Sequence, residues 1–299
     1  MMGAPTAEDC RAAADLYELQ LPQGGSLALG GNRRALVMGI LNITPDSFAD
    51  GGLYHDRKAA IAHAEEMAEH GADVIDIGGE STRPGSDPVS AKEQIGRVIP
   101  VISQLASRLK APISIDTTSA EVAKEALDAG AAIVNDISAL RMDPNLGPLV
   151  AERRVPVVLM HMLGRPKDMQ VNPSYGDVVA EVCEFLRSRM TVGAEYGICR
   201  EQIIVDPGLG FGKTFAHNME LLRHLSALRL LSRPILVGAS RKAMLGHILG
   251  VPPAERDYGT AATVAAAVDR GAAMVRVHDV RCAVHVVKVM AAIQGRSWD

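Results

Sequence analysis

Short, mainly apolar runs that lead into polar residues recur along the whole chain. The first covers residues 36–41 and is followed at once by Asn42 and a loop rich in Thr, Pro, Asp, Ser and Gly. Such a run is typical of a strand buried on both faces of a parallel sheet. Seven further runs have this pattern and predict seven more strands: residues 74–77, 113–115, 131–134, 157–160, 203–205, 235–237 and 273–275.

The segments between the predicted strands carry apolar positions at helical spacing, as in the Ala-rich residues 58–70. Ser90 with Glu93, and Thr118 with Glu121, match the capping box that begins a helix. Eight alternating strand and helix units in 299 residues predict an α/β fold, the (β/α)8 TIM barrel. A doubly wound open sheet is the alternative, because periodicity does not show whether a sheet closes.

Residues 1–35 precede the first predicted barrel strand, and we expect them to form a short N-terminal extension. Within this extension we expect a helix over residues 7–19, followed by a lid or hairpin over the closed end of the barrel. Residues 36–299 are then the barrel domain, and the chain has no other domain.

Composition narrows the functional classes. Hydrophobic residues make up 47% of the chain, which is enough for a large core, and the formal net charge is −4. With no basic run and only 3% aromatic residues, the chain lacks the pattern of a nucleic-acid-binding protein. The four cysteines show no CxxC spacing, which argues against a disulfide framework or a zinc site. Free cysteines are typical of a reducing compartment, so we expect a cytoplasmic location. No apolar run approaches the ~18 residues that a membrane span requires.

Polar residues at the predicted strand ends indicate a binding site. In a barrel the carboxyl ends of all strands meet at one mouth, so these side chains are expected to converge. The carboxylates, an amide and a lysine suit a flat heterocycle with an amidine or amide edge. The arginines, a histidine and Asn42 suit an anion such as phosphate, since an Arg fork binds phosphate oxygens in pairs. The converging residues are Asn42, Asp116, Asn135, His161, Asp206, Lys242, Arg276 and His278, with Arg83 on the anion side.

The glycine-rich segment 208–214 resembles a phosphate-binding P-loop only superficially. Pro207 stands where the first glycine of that motif belongs, and Lys213 replaces the last glycine of a dinucleotide fingerprint. We therefore expect this loop to approach a ligand closely, with Phe211 as an apolar wall.

Taken together, these blocks resemble the dihydropteroate synthase family over roughly residues 36–292. The family joins a dihydropterin pyrophosphate to p-aminobenzoate in folate biosynthesis, and its members are (β/α)8 barrels, usually homodimers, that need Mg²⁺. The resemblance therefore implies small-molecule substrates and no nucleic-acid or membrane partner. It rests on residues 42–48, 76–85, 116–117, 135–136, 160–162, 206–214, 240–242 and 276–279.

The resemblance also implies roles for individual residues. Residues matching Asp116, Asn135, Asp206 and Lys242 hold the pterin ring in this family, and the match to Asn42 binds Mg²⁺. The match to Arg276 stacks on the ring and, with the match to His278, binds pyrophosphate. Loops that contain Asp46 and Thr82, Arg83 and Pro84 close over the site. The implied catalytic residues are Asp46, Lys242, Arg276 and His278, and the implied substrate site further includes Pro84, Met160, Phe211, Gly238 and Ser240.

Two positions depart from the family pattern. Ala243 stands where a serine hydroxyl usually meets the p-aminobenzoate carboxylate, so the affinity for p-aminobenzoate and sulfonamides is expected to differ. Thr118 and Ser119 replace an aromatic and a basic residue. The alternatives to a synthase are a corrinoid-dependent methyltransferase, a non-catalytic paralogue that binds pterin, and a structural or interaction protein, which leaves the polar strand ends unexplained.

Overall fold

The computed structural model describes residues 16–43, 52–81 and 88–298. Eight parallel strands form a closed barrel in the order β10-β3-β4-β5-β6-β7-β8-β9, and helices connect them. The predicted (β/α)8 barrel is confirmed, and the open sheet is excluded because β10 pairs with both β3 and β9. The strands are β1 Leu16–Gln20, β2 Ser26–Gly30, β3 Leu36–Asn42, β4 Val74–Gly78, β5 Ile113–Asp116, β6 Ile133–Asp136, β7 Val157–Met160, β8 Ile203–Asp206, β9 Ile235–Gly238 and β10 Ala272–Val277. The α helices are α1 Gly52–Glu69, α2 Ala91–Leu105, α3 Ala120–Asp128, α4 Leu146–Arg153, α5 Val178–Glu195, α6 Phe215–Arg223, α7 Ala243–Leu249, α8 Asp257–Asp269 and α9 Val280–Ile293.

Side-chain caps fix where α2 and α3 begin. Ser90 accepts a hydrogen bond from the backbone N–H of Glu93 and so satisfies one of the free donors at the start of α2. The cap of α3 is Ser119, which accepts from the N–H of Val122, and not Thr118 as the sequence predicted. Each cap ends the preceding βα loop at a defined residue, which keeps the strand ends and their side chains at the barrel mouth.

The N-terminal segment closes the opposite end of the barrel with a hairpin. Strands β1 and β2 pair in antiparallel register, so the predicted helix over residues 7–19 is wrong from residue 16 onward; residues 7–15 lie outside the described part. Leu19 and Leu29 are fully buried and pack against the first residues of the barrel strands, including Met38 and Met274. Burial of both leucines favours the hairpin relative to the predicted helix. The boundary between extension and barrel domain at residue 35 stays a prediction.

The described residues test only part of what the sequence predicts about membrane spans and cysteines. No helix among the described residues is long and apolar enough to cross a bilayer. Cys183, Cys199 and Cys282 carry free thiols, and Cys10 lies outside the described residues. A cytoplasmic location and a homodimer stay predictions.

Candidate active site

A cleft of about 340 Å³, partly open to solvent, lies at the carboxyl ends of the barrel strands. The sequence predicts each of its lining residues except Ile137, Gly208 and Leu209, and the last two belong to the loop that is expected to approach a ligand. Polar side chains from five different strands or the loops that follow them therefore face one space. The lining residues are Asp116, Asn135, Ile137, Met160, Asp206, Gly208, Leu209, Phe211, Gly238, Lys242 and Arg276.

Arg276 crosses the floor of the cleft and is held by two carboxylates. Its Nε donates to Oδ2 of Asp76 at 2.6 Å, and its Nη2 donates to Oδ2 of Asp116 at 2.7 Å. Asn135 Nδ2 donates to the same Asp76 oxygen at 2.9 Å. These bonds connect β10 with β4, β5 and β6, so the plane of the guanidinium is fixed before any ligand binds.

Asp76 is the functional residue that the sequence reasoning missed. It lies inside β4 rather than at a strand end, and its side chain is fully buried. A carboxylate flanked by Ile75 and Ile77 was the available signal, because a buried charge requires a partner. The structure supplies that partner from Arg276, 200 residues further along the chain.

The pKa values of the groups on the floor of the cleft depend on one another. Burial raises the pKa of Asp116 to about 7, although the nearby Arg276 guanidinium opposes that rise. Burial lowers the pKa of Arg276, but Asp76 and Asp116 more than offset this effect, and its pKa lies above the ordinary value. The guanidinium is therefore a permanent cation, whereas Asp116 exchanges its proton near neutral pH.

Asp206 and Lys242 form the opposite wall. Oδ1 of Asp206 accepts the N–H of Gly208 at 2.7 Å, and Oδ2 has no hydrogen-bond partner among the described residues. Burial raises the pKa of Asp206 to about 6 and lowers the pKa of Lys242 to about 8. The Lys242 ammonium lies 4.6 Å from the centroid of the Phe211 ring, a cation–π distance. This wall thus offers an open acceptor, a cation and an aromatic face.

Ser240, His278 and Asn42 lie at the rim. The Ser240 hydroxyl accepts the backbone N–H of His278 at 3.2 Å and lies 2.8 Å from Nδ1 of the same residue. Asn42 ends β3 beside Gly78, and a Cβ placed on Gly78 would lie 3.6 Å from Asn42 Oδ1 and 3.7 Å from Asp116 Oδ2. Two oxygens therefore border one small space. Nowhere in the described residues do three His, Cys, Asp or Glu side chains cluster as a metal site.

Comparison with known proteins decides the family. Residues 38–278 match the family described as pterin binding enzyme. The dihydropteroate synthase of Synechocystis sp. is 47% identical over 94% of this chain and 97% of its own length. The chain belongs to the dihydropteroate synthase family. A solved dihydropteroate synthase of Xanthomonas albilineans with 4-aminobenzoic acid is 45% identical and covers 95% of this chain and 100% of its own, with a TM-score of 0.88.

A second Xanthomonas albilineans structure, in complex with 7,8-dihydropteroate, is 43% identical, covers 88% of this chain and 95% of its own, and has a TM-score of 0.80. Full-length similarity to dihydropteroate synthases places the chain with the synthases and not with the corrinoid-dependent methyltransferases. It gives no support to a structural or interaction protein.

Some of the predicted site residues do not line the cleft of the described structure. Asp46, Thr82, Arg83 and Pro84 lie outside the described residues. His161 follows β7 as predicted, but its ring packs away from the cleft, with its centroid 4.7 Å from that of Phe185. The first residue of α7 is Ala243, which is exposed beside Lys242.

Proposed function

We propose that this chain joins 6-hydroxymethyl-7,8-dihydropterin pyrophosphate to p-aminobenzoate, with the cleft residues in the roles given below. The products are 7,8-dihydropteroate and pyrophosphate. One observation carries the assignment of roles: open acceptors on Asp206 and Asn135 face a guanidinium that two carboxylates hold in place. The relatives solved with 4-aminobenzoic acid and with 7,8-dihydropteroate support the choice of substrates.

The pterin ring fits the acceptors of the cleft. Its amino group and ring N–H groups form a flat row of donors, which matches Oδ2 of Asp206 and Oδ1 of Asn135. Neither oxygen has a partner among the described residues. A buried donor without an acceptor costs roughly 1–3 kcal/mol, so both oxygens contribute to affinity. Arg276 presents its fixed planar face to the ring, an arrangement that a lysine does not reproduce.

The leaving pyrophosphate lies on the rim side of the pterin. Arg276 supplies a permanent charge, and His278 supplies a hydrogen-bond donor. The Ser240 hydroxyl contacts both the backbone N–H and Nδ1 of His278, so it fixes the orientation of the imidazole. The oriented ring then binds a phosphate oxygen through Nε2. Ser240 thus positions His278, and a role of Ser240 in binding substrate stays a prediction.

Mg²⁺ fits the donor set at the rim. The fit rests on Asn42 Oδ1 and Asp116 Oδ2, which border the space over Gly78. Mg²⁺ is commonly held by one or two protein oxygens together with phosphate oxygens and water, and it needs no all-protein cage. When bound, it supplies positive charge to the pyrophosphate oxygens. Asn42 would hold it through Oδ1.

The bond change needs little acid–base chemistry. The aromatic amine of p-aminobenzoate attacks the exocyclic methylene of the pterin, and the C–O bond to pyrophosphate breaks with its electron pair on oxygen. The new amine nitrogen then loses one proton. Phe211 forms the apolar wall for the benzoate ring, and the Lys242 ammonium pairs with its carboxylate. Asp46 stays the predicted stabiliser of positive charge on the pterin, and turnover then depends mainly on preorganised charge.

Metal removal tests the proposed function. With both substrates and Mg²⁺ present, we expect pyrophosphate release by the purified chain, and we expect it to fall to background after chelation. Added Mg²⁺ should restore the rate. The variant Asn42→Ala should need a higher Mg²⁺ concentration for half-maximal rate, while Lys288→Ala, an exposed site on α9, should match wild type. Full activity after exhaustive chelation would exclude a requirement for Mg²⁺. If no pyrophosphate is released with any metal, the proposed synthase activity is excluded.

Pterin affinity should depend on pH through Asp206. The ionised carboxylate accepts the pterin donors, so binding requires loss of the proton that Asp206 holds below its pKa of about 6. We expect the dissociation constant to rise about tenfold for each pH unit below that value and to be flat well above it. Calorimetry across pH 5–8 measures this slope. A dissociation constant that does not change between pH 8 and pH 5 would exclude Asp206 as an acceptor for the pterin.

A further inference from the structure

A buried lysine lies behind the aromatic wall of the cleft. The Lys213 side chain is 3% exposed, and its Nζ lies 2.8 Å from Nδ1 of His161. It also donates to the carbonyls of Gly208 and Phe211, both at 3.0 Å. Three ammonium protons thus meet three near acceptors. Among the described residues no carboxylate contacts this amine, and burial lowers the pKa of Lys213 to about 7. Neutral groups from two chain segments therefore hold it.

The His161 imidazole is a fixed neutral acceptor. Burial, followed by the charge of Lys213, lowers the pKa of His161 to about 2. As an ammonium, Lys213 can only donate, so Nδ1 then accepts and the imidazole proton lies on Nε2. The ring packs edge-on against Phe185 and lies 6.0 Å from Tyr175 between centroids. Since these contacts hold the ring, the acceptor has a defined position at the end of β7.

The loop that Lys213 holds lies directly against the chain after β7. Gly208 and Gly212 have positive φ, and a Cβ on either would collide with the backbone of His161 or Leu163. The same loop carries Phe211, whose ring contacts Lys242 in the cleft. The position of the aromatic wall therefore depends on how residues 208–212 are fixed to residues 161–163.

We propose that Lys213 is a positioning residue for p-aminobenzoate: by binding the carbonyls of Gly208 and Phe211 to His161, it fixes the Phe211 wall and the cation beside it. This inference rests on the proposed function and deepens it. Of the proposed pterin-binding residues, Asp116 and Asn135 lie on β5 and β6, outside the loop, whereas Asp206 accepts the N–H of Gly208 within it. Lys213 binds the carbonyl of Gly208 and not the N–H that holds Asp206, so we expect it to act mainly on the second substrate.

Steady-state kinetics with each substrate varied in turn tests the proposal. For Lys213→Met we expect the KM for p-aminobenzoate to rise at least about tenfold, the loss of about one positioning hydrogen bond. The pterin dissociation constant should stay within about threefold. Arg233→Met is the matched control: Arg233 is 6% exposed, and its Nε donates to the Ile203 carbonyl at 3.2 Å at the closed end. It should lower the melting temperature without changing either KM.

The outcomes separate the two proposals. If wild type forms no dihydropteroate, the proposed function fails, and the role of Lys213 fails with it. If wild type is active and Lys213→Met changes both substrates alike, or behaves as Arg233→Met does, Lys213 is only a residue of the core. Lys213→Gln keeps N–H donors without the charge and serves if the Met variant does not fold. Failure of both variants to fold overturns the positioning role.

Discussion

Replacement of Arg276 by Met is expected to destabilise the protein by about 3–5 kcal/mol and to lower turnover by about 10²–10³-fold. The stability loss follows from the two buried carboxylates that lose their partner. Asp76 is fully buried, and its Oδ1 already has no hydrogen-bond partner among the described residues. Without the guanidinium, Asp76 and Asp116 keep no neutralising charge. The turnover loss follows because the permanent cation beside the leaving pyrophosphate disappears.

The stability loss should grow with pH, and this dependence identifies its cause. Arg276 lowers the pKa of Asp116, which is about 7 in its presence, so removal of Arg276 raises that pKa further. A carboxyl group with a raised pKa stabilises the fold below its unfolded pKa and loses that contribution as pH rises through the folded pKa. Urea unfolding of Arg276→Met should therefore show a larger deficit at pH 8 than at pH 6.

Arg34→Met is the matched control for this experiment. Arg34 forms a two-bond ion pair with Asp73 at the closed end of the barrel, and the two side chains are 13% and 18% exposed. Its loss should cost stability but leave the kinetic constants of the folded enzyme near wild type. If Arg276→Met unfolds like wild type at both pH values, the carboxylates find other partners, and the floor does not depend on this cation.

The barrel could be predicted from sequence because each strand is a short buried run with an abrupt polar end. The N-terminal hairpin could not be predicted in the same way. Leu16 and Leu19 stand at helical spacing, yet both lie on β1, which is paired with β2. The hairpin is favoured by burial of Leu19 and Leu29 against the closed end of the barrel, where they contact residues far along the chain. The local sequence pattern does not show the free energy gained by burying these two leucines.

The site shows a similar division. Asp116 and Asp206 were found because they end strands, and a barrel brings strand ends together. Asp76 was not assigned a role because it lies within a strand, and its partner is known only from the fold. In the sequence Lys213 shows only as the residue that breaks a dinucleotide fingerprint, whereas in the structure its Nζ contacts His161, 52 positions away. Roles that depend on long-range pairing require coordinates, and roles that depend on position along a strand do not.

Asp206→Ala is expected to raise the dissociation constant for the pterin substrate by about 10²–10⁴-fold. Asp206 is 5% exposed, and its Oδ2 is open to the cleft while Oδ1 is held by Gly208. A carboxylate in this position accepts two ring donors, and each hydrogen bond to a charged group is worth about 1.5–3 kcal/mol. Asn135→Ala should act in the same direction with a smaller effect, since a neutral amide makes the weaker bond.

Calorimetric titration with the pterin substrate measures this loss directly. Asp73→Ala is the matched control, because it also removes a largely buried carboxylate but at the closed end of the barrel, where it accepts from Arg34 and from the N–H of Val37. That control should lose stability and keep its pterin affinity. Asp206→Asn keeps an acceptor oxygen but places an amide donor against the pterin donors, so it should not restore binding. Unchanged affinity in a folded Asp206→Ala protein would mean that the pterin lies elsewhere in the cleft, against Asp116 and Arg276 alone.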